Sequence, residues 1–243
     1  MLAATGYENL KIGDGTTMKA YVAFPQNGGK NKAIVVLQEI FGVNSHIRNI
    51  ANRFANEGYV AIAPELFHRT APGFEISYES FEKAMPHAQA LTEENFKADF
   101  AACLEWLKEK TQNAPMACVG FCMGGRLAFL ANSLFHFNAA VSFYGGGIAP
   151  TCLENAKTLH APILFFWGEK DKHIPRDQRL QVLNALLASN KPFVNIEFSE
   201  ADHGFFCDER QSYHPNSARL AWKTTLEFLE IHLQKGTETE KIH

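Results

Sequence analysis

The stretch Gly120-Phe-Cys-Met-Gly124 constrains this chain more than any other. It follows the apolar run Met116 to Val119 and leads into a helix-compatible segment, so it reads as a strand turning sharply into a helix. The G-x-C-x-G spacing is the pattern of a nucleophile held on such a turn, with sulfur in place of the usual serine oxygen. The requirement is steric. A residue perched there has strained backbone dihedrals, and glycines two positions either side let strand and helix pass without Cβ clashes. The same turn sets Cys122 at the positive N-terminal end of the helix, where a thiolate is favoured. The competing reading is a tight turn that buries an inert cysteine, and only partners elsewhere in the chain decide between the two.

The neighbouring segments predict what that turn is embedded in. Lys19–Phe24, Ala33–Leu37, Tyr59–Ala63, Ala139–Phe143, Ile163–Trp167 and Val194–Phe198 read as strands. The unbroken β-branched run at 33–37 suits a strand buried on both faces, as in a parallel sheet covered by helices. Helices are expected at His46–Glu57, from Thr92 as cap through Lys110, at Gly124–Leu134, Arg176–Ala188 and Asn216–Gln234. Alternating strands and helices without a composition break imply one α/β domain over residues 1–243, with a mostly parallel central sheet flanked by helices on both faces. Residues 65–91 show no clean period and read as a long excursion near the site, and residues 236–243 read as a frayed tail.

Composition removes several classes of function. With 23 basic and 26 acidic residues the net charge is -3, which gives no electrostatic case for nucleic acid or an anionic membrane. The first ten residues lack a basic segment followed by an apolar one, and no run approaches the roughly 18 apolar residues of a membrane span. A soluble, cytoplasmic protein is expected. Five cysteines, at 103, 118, 122, 152 and 207, show no metal or redox spacing, and the histidines at 46, 68, 87, 136 and 160 form no ligand motif. Neither a disulfide framework, a metal nor a cofactor is expected. A dinucleotide loop at Gly120–Gly125 is excluded, because a bulky Cys-Met pair fills the approach that a pyrophosphate needs.

Partners for Cys122 should lie where later strands end, since sites in open α/β sheets form at the carboxyl ends of strands. The strand ending at Trp167 leads to Gly168-Glu-Lys-Asp171, and the strand ending at Phe198 leads to Ser199-Glu-Ala-Asp-His203. Cys122, Asp171 and His203 thus stand in the order nucleophile, acid, base, which is the chain order of the α/β-hydrolase triad. His203 would accept the thiol proton and Asp171 would fix its tautomer. A thiol pKa of roughly 8.5 needs only a modest shift to give thiolate near neutral pH. Two N–H donors should form an oxyanion hole, Met123 just after the nucleophile and Ile40 in the loop after 33–37. Asp171 could instead be a solvated loop charge among Glu169, Lys170 and Lys172, and His173 could compete as the base.

With these residues placed, the chain resembles the dienelactone hydrolase family of α/β-hydrolases over nearly its whole length. The resemblance rests on Gln38-Glu-Ile-Phe-Gly-Val43, Gly58–Leu66, Gly120-Phe-Cys-Met-Gly-Gly125, Phe143-Tyr-Gly-Gly146, Gly168-Glu-Lys-Asp171 and His203-Gly-Phe205. It implies that Glu39 contacts the resting thiol and yields it when substrate arrives; the bland reading of Glu39 is a cap for the segment that follows. The resemblance also implies arginines that hold a substrate carboxylate. Residues 204–207 contain none, and no arginine lies between Arg69 and Arg126. The expected pocket is therefore aromatic, built from Phe41, Phe74, Tyr78, Tyr144, Trp167, Phe205 and Phe206. The expectation is a monomer or weak homodimer that hydrolyses small esters or lactones through an acyl-cysteine. Promiscuous arylester or phosphotriester turnover could accompany that activity, because a thiol is a better leaving group than a serine hydroxyl. A thioesterase, a peptidase or a non-catalytic ligand-binding homologue are the alternatives.

Overall fold

The computed structural model describes residues 4–26, 28–29 and 31–234. Eight strands, β1 (Ala4–Lys11), β2 (Thr17–Phe24), β3 (Lys32–Leu37), β4 (Tyr59–Pro64), β5 (Met116–Phe121), β6 (Ala139–Phe143), β7 (Ile163–Gly168) and β8 (Phe193–Phe198), form one sheet in the order β1-β2-β4-β3-β5-β6-β7-β8. The first two pairings are antiparallel and the rest are parallel. Six helices connect them: α1 (Ser45–Asn56), α2 (Phe81–Ala90), α3 (Glu93–Thr111), α4 (Met123–Leu134), α5 (Arg176–Ser189) and α6 (Pro215–His232). The strand order reverses direction at β3, so the carboxyl ends of β3 and β5 flank the crevice where sites of open sheets form.

The continuous apolar run of β3 is explained by its place. Residues 33–37 are fully buried between β4 and β5, with Ile34 paired to Ala61 on one side and Ala117 on the other. Helices α1 and α6 cover one face, joined where Phe54 meets Trp222 at a ring separation of 4.7 Å. Helices α3 and α4 cover the other, and Phe100 of α3 packs on Phe135 just past the end of α4. Thr92 caps α3 by accepting from the Asn95 N–H at 3.1 Å, as its sequence predicts.

Three features depart from the sequence reading. β1 precedes the first expected strand and zips to β2 from Ala4 opposite Phe24 to Lys11 opposite Thr17. Within 65–91, α2 forms despite Pro86, and this segment is tied to the loop after β3 by a bridge between Gly42 and Glu75 and to α1 by Arg48 donating to Glu75 at 2.7 Å. A short 3-10 helix occupies Leu153–Thr158. The expected tail at 236–243 lies outside the described residues. Among the described residues, no helix is long and apolar enough to cross a membrane.

At the carboxyl ends of the strands, Phe121, Phe143 and Phe166 stand side by side in register across β5, β6 and β7. Their rings lie 4.7 and 4.6 Å apart, and Phe206 stacks on Phe121 at 5.5 Å. Burying each such ring contributes about 1.5–3 kcal/mol. Together they form a rigid apolar floor directly beneath Cys122.

Candidate active site

The turn after β5 is as tight as its sequence demands. Cys122 has φ 53° and ψ -117°, a conformation that costs a non-glycine residue about 1–3 kcal/mol. A Cβ on Gly120 would stand 1.9 Å from the Gly124 carbonyl oxygen, and one on Gly124 would stand 2.4 Å from that of Leu37. Helix α4 can therefore leave the strand at this angle only because neither position carries a side chain. The Cys122 N–H donates to the Phe143 carbonyl at 3.0 Å, which anchors the strained residue to β6.

His203, on the loop after β8, places Nδ1 2.7 Å from Asp171 Oδ2. The other carboxylate oxygen accepts from the His173 and Ile174 N–H groups at 2.8 and 3.1 Å, so Asp171 is fixed from both sides. Burial would raise the Asp171 pKa, but its bonds to His203 and to the two backbone N–H groups hold it below the usual carboxylate value. Burial would likewise lower the pKa of His203. The Cys122 sulfur, as a charge and as a hydrogen-bond partner, together with Asp171, outweighs that effect and lifts His203 to about 10. An imidazolium is the state these neighbours favour at His203. Asp171 is buried and engaged rather than a solvated loop charge. His173 stacks 5.3 Å from the His203 ring and lines the cavity.

Glu39 is fully buried, and burial raises its pKa against the opposing influence of Arg210, whose Nη1 lies 3.4 Å from Oε1. Glu39 thus faces Arg210 through Oε1. Ile40 lies in the loop after β3 and Met123 opens α4, and neither N–H donates to a loop or turn backbone acceptor among the described residues.

A cavity of about 400 Å³ opens over Cys122 and His203, lined also by Phe41, Tyr78, Phe81, Gly146, His173 and Arg210. Phe41 and Tyr78 thus stand where the sequence placed them. Phe74, Tyr144, Trp167, Phe205 and Phe206 do not line it. Phe74 packs on Phe67 and His87; Tyr144 lies beneath His203 with its ring 5.1 Å away. Trp167 points to the Phe165 side of β7 and donates to Asn195, the alternation of a strand having turned it away from the site. Phe205 and Phe206 belong to the apolar floor. Phe81 and Arg210 were missed. Arg210 lies seven residues past His203, and its cationic head sits 5.7 and 5.5 Å from the centres of the Phe41 and Tyr78 rings, so the cavity does hold a positive charge, three residues beyond 204–207.

The sheet order and the strained elbow after β5 define the α/β-hydrolase fold. Residues 18–233 match the family model described as the dienelactone hydrolase family, and the chain belongs to that family of hydrolases. It is 36% identical over 227 residues to a Synechocystis protein provisionally named carboxymethylenebutenolidase, covering 88% of this chain and 92% of that one. A Yersinia pestis protein with the same provisional name is 34% identical over 232 residues, covering 90% and 85%. A crystal structure from Klebsiella pneumoniae, provisionally named a dienelactone hydrolase, superposes with a TM-score of 0.87 at 32% identity, covering 95% of this chain and 99% of that one.

Proposed function

We propose that this protein cleaves small esters or lactones with Cys122 as nucleophile, His203 as acid and base, and Asp171 as the group that orients His203. The observation that carries the proposal is the convergence of a strained elbow cysteine and an Asp171-bound histidine on one cavity. The thiolate attacks the acyl carbon, and the oxyanion that forms is stabilised by the N–H groups of Ile40 and Met123. His203 gives its Nε2 proton to the leaving alcohol oxygen, which in a lactone stays tethered to the acyl group. It then takes a proton from water as that water attacks the acyl-cysteine, and the thiolate leaves. Glu39 serves as the alternative partner of the thiol between turnovers, with Arg210 holding its carboxylate in the arrangement seen here.

The substrate class follows from the cavity. Phe41, Tyr78 and Phe81 favour an unsaturated or aromatic body, and Arg210 favours a carboxylate at its far end. Cys122→Ala should abolish turnover of p-nitrophenyl acetate and of cis- and trans-dienelactones while leaving the circular dichroism spectrum unchanged. A variant that keeps more than about a tenth of the rate refutes the nucleophile, since removing one costs several orders of magnitude.

A further inference from the structure

One cluster of donor atoms is drawn on by this chemistry only through Glu39. Beneath the cavity, a carboxylate oxygen of Glu39, a ring nitrogen of His46 and the sulfur of Cys207 all lie within 4.8 Å of one another, and all three residues are buried. They come from the loop after β3, the first turn of α1 and the loop after β8, so their spacing in the sequence is that of no metal motif. Glu39 Oε2 and His46 Nε2 have no hydrogen-bond partner among the described residues, although Glu39 is fully buried and His46 is 2% exposed. Two unpaired buried polar atoms on residues clustered with a thiol form an unusual combination, because each such atom left without a partner costs about 1–3 kcal/mol.

We propose that Glu39, His46 and Cys207 form a binding site for a thiophilic divalent cation of the Zn²⁺ class. The donor set is an imidazole nitrogen, a thiolate and a single carboxylate oxygen, the types that Zn²⁺ takes in tetrahedral sites. Two anionic donors and one neutral donor cancel the charge of the ion, which a buried site requires. Binding displaces the thiol proton of Cys207 to solvent, along with any proton on Glu39, and no oxidant or reductant is needed. Donor separations in a tetrahedral zinc site are about 3.5 Å, so the three atoms must close by up to about 1.3 Å, within the reach of side-chain rotation.

The surrounding groups fit the role. Asp208 Oδ1 lies 3.9 Å from His46 Nδ1, on the side of the ring away from Nε2, and favours the tautomer that leaves Nε2 with its lone pair. Arg210 engages Glu39 Oε1 and so leaves Oε2 to bind alone. Tyr78 Oη, which accepts from Asn44 Nδ2 at 2.9 Å, is 3.2 Å from Cys207 Sγ and can turn its proton toward a thiolate. The Phe121 and Phe206 rings pack edge-on to that of His46, 5.9 and 6.3 Å away, and a water completes the fourth position of a tetrahedral ion. The Arg210 charge opposes the cation, and the exposed carboxylates of Asp208 and Glu209 offset it.

The test uses the full chain carrying Cys122→Ala, because a cysteine beside a histidine in the active site could itself take Zn²⁺. This makes the result independent of the proposed reaction. Titration with Zn²⁺ by calorimetry should show one ion per chain, and Co²⁺ should give visible d–d bands with a near-ultraviolet band from a single thiolate. Cys207→Ser should remove the thiolate band and weaken Zn²⁺ at least about 10-fold, as should His46→Gln. Asp208→Asn, an exposed change that leaves the fold undisturbed, should weaken it about 10-fold. No uptake by the Cys122→Ala chain, or uptake unchanged by both Cys207→Ser and Asp208→Asn, overturns the site.

Discussion

Replacing Asp171 with Asn tests the proposed reaction at its most constrained point. One oxygen of Asp171 accepts from the His173 and Ile174 N–H groups, so the asparagine must keep its carbonyl there and turn its NH₂ toward His203 Nδ1. The opposite flip would set an NH₂ against two backbone N–H groups. His203 Nδ1 must then accept, which puts the proton of the neutral ring on Nε2 and removes the acceptor that Cys122 requires. The lost bond is charge-assisted and buried, contributing about 3 kcal/mol, or roughly 150-fold in rate. Reversal of the tautomer carries the loss toward the 10⁴-fold known for the same change in serine triads. We expect kcat to fall by about 10²–10⁴ with the fold retained, because the two backbone bonds survive. The pH profile supplies a second reading. His203 is raised to about 10, so activity that needs its proton is lost only as pH rises through that value. Without the Asp171 charge, the alkaline limb of kcat/KM should move down by at least about one pH unit. Stopped-flow hydrolysis of p-nitrophenyl acetate between pH 6 and 11 measures both. A variant within about threefold of the native rate, or an alkaline limb that does not move, refutes the orienting role.

Three further changes probe the neighbours. Arg210→Met should lower kcat/KM for carboxylate-bearing lactones by roughly 10- to 150-fold, the loss of a charged hydrogen bond, and change that for a neutral aryl ester by less than about threefold; equal losses on both would refute carboxylate recognition. Glu39 has its pKa raised by burial, so the folded state holds its proton more tightly than the unfolded chain does and loses stability as pH rises above the ordinary value of 4.5. The thermal midpoint of Glu39→Gln should therefore gain on the native one progressively above about pH 4.5, and a difference constant with pH would count against a buried titrating carboxyl. Gly124→Ala should destabilise the protein by about 3 kcal/mol, roughly 6–12 °C in Tm, because its Cβ meets two backbone carbonyls, 2.4 Å from Leu37 O and 2.6 Å from Gln38 O, that cannot swing aside. A midpoint within about 2 °C would show that α4 can slide away from β3.

The sheet interior was legible because burial on both faces leaves a one-dimensional trace. Residues 33–37, 59–63 and 163–167 are unbroken apolar runs bounded by turn residues, and each is a central strand. β1 left no such trace. It sits at the edge, only Leu10 is buried, and its charged and polar residues conceal a strand held mainly by its ladder with β2. Helix α2 was hidden for a related reason: it buries Ala84 alone and contains Pro86, so neither periodicity nor composition marks it.

The site divides along the same line. The turn carrying Cys122 and the loops carrying Asp171 and His203 were placed correctly because each follows a strand of the parallel part of the sheet in a motif with its own local geometry. Cavity lining carries no comparable signature. Whether an aromatic ring reaches substrate depends on which side of a strand or loop it leaves, and Phe205 and Phe206 fall on the inner side of a loop whose next turn brings Arg210 outward. The floor of Phe121, Phe143, Phe166 and Phe206 took up rings that composition alone would assign to substrate. In the proposed reaction, the chemistry falls to residues whose backbone is constrained by the sheet, and selectivity falls to Tyr78, Phe81 and Arg210, on segments tied to the sheet at only a few points. Divergence in substrate among chains with this elbow should concentrate in residues 74–81 and 204–212, where side chains can change without moving Cys122.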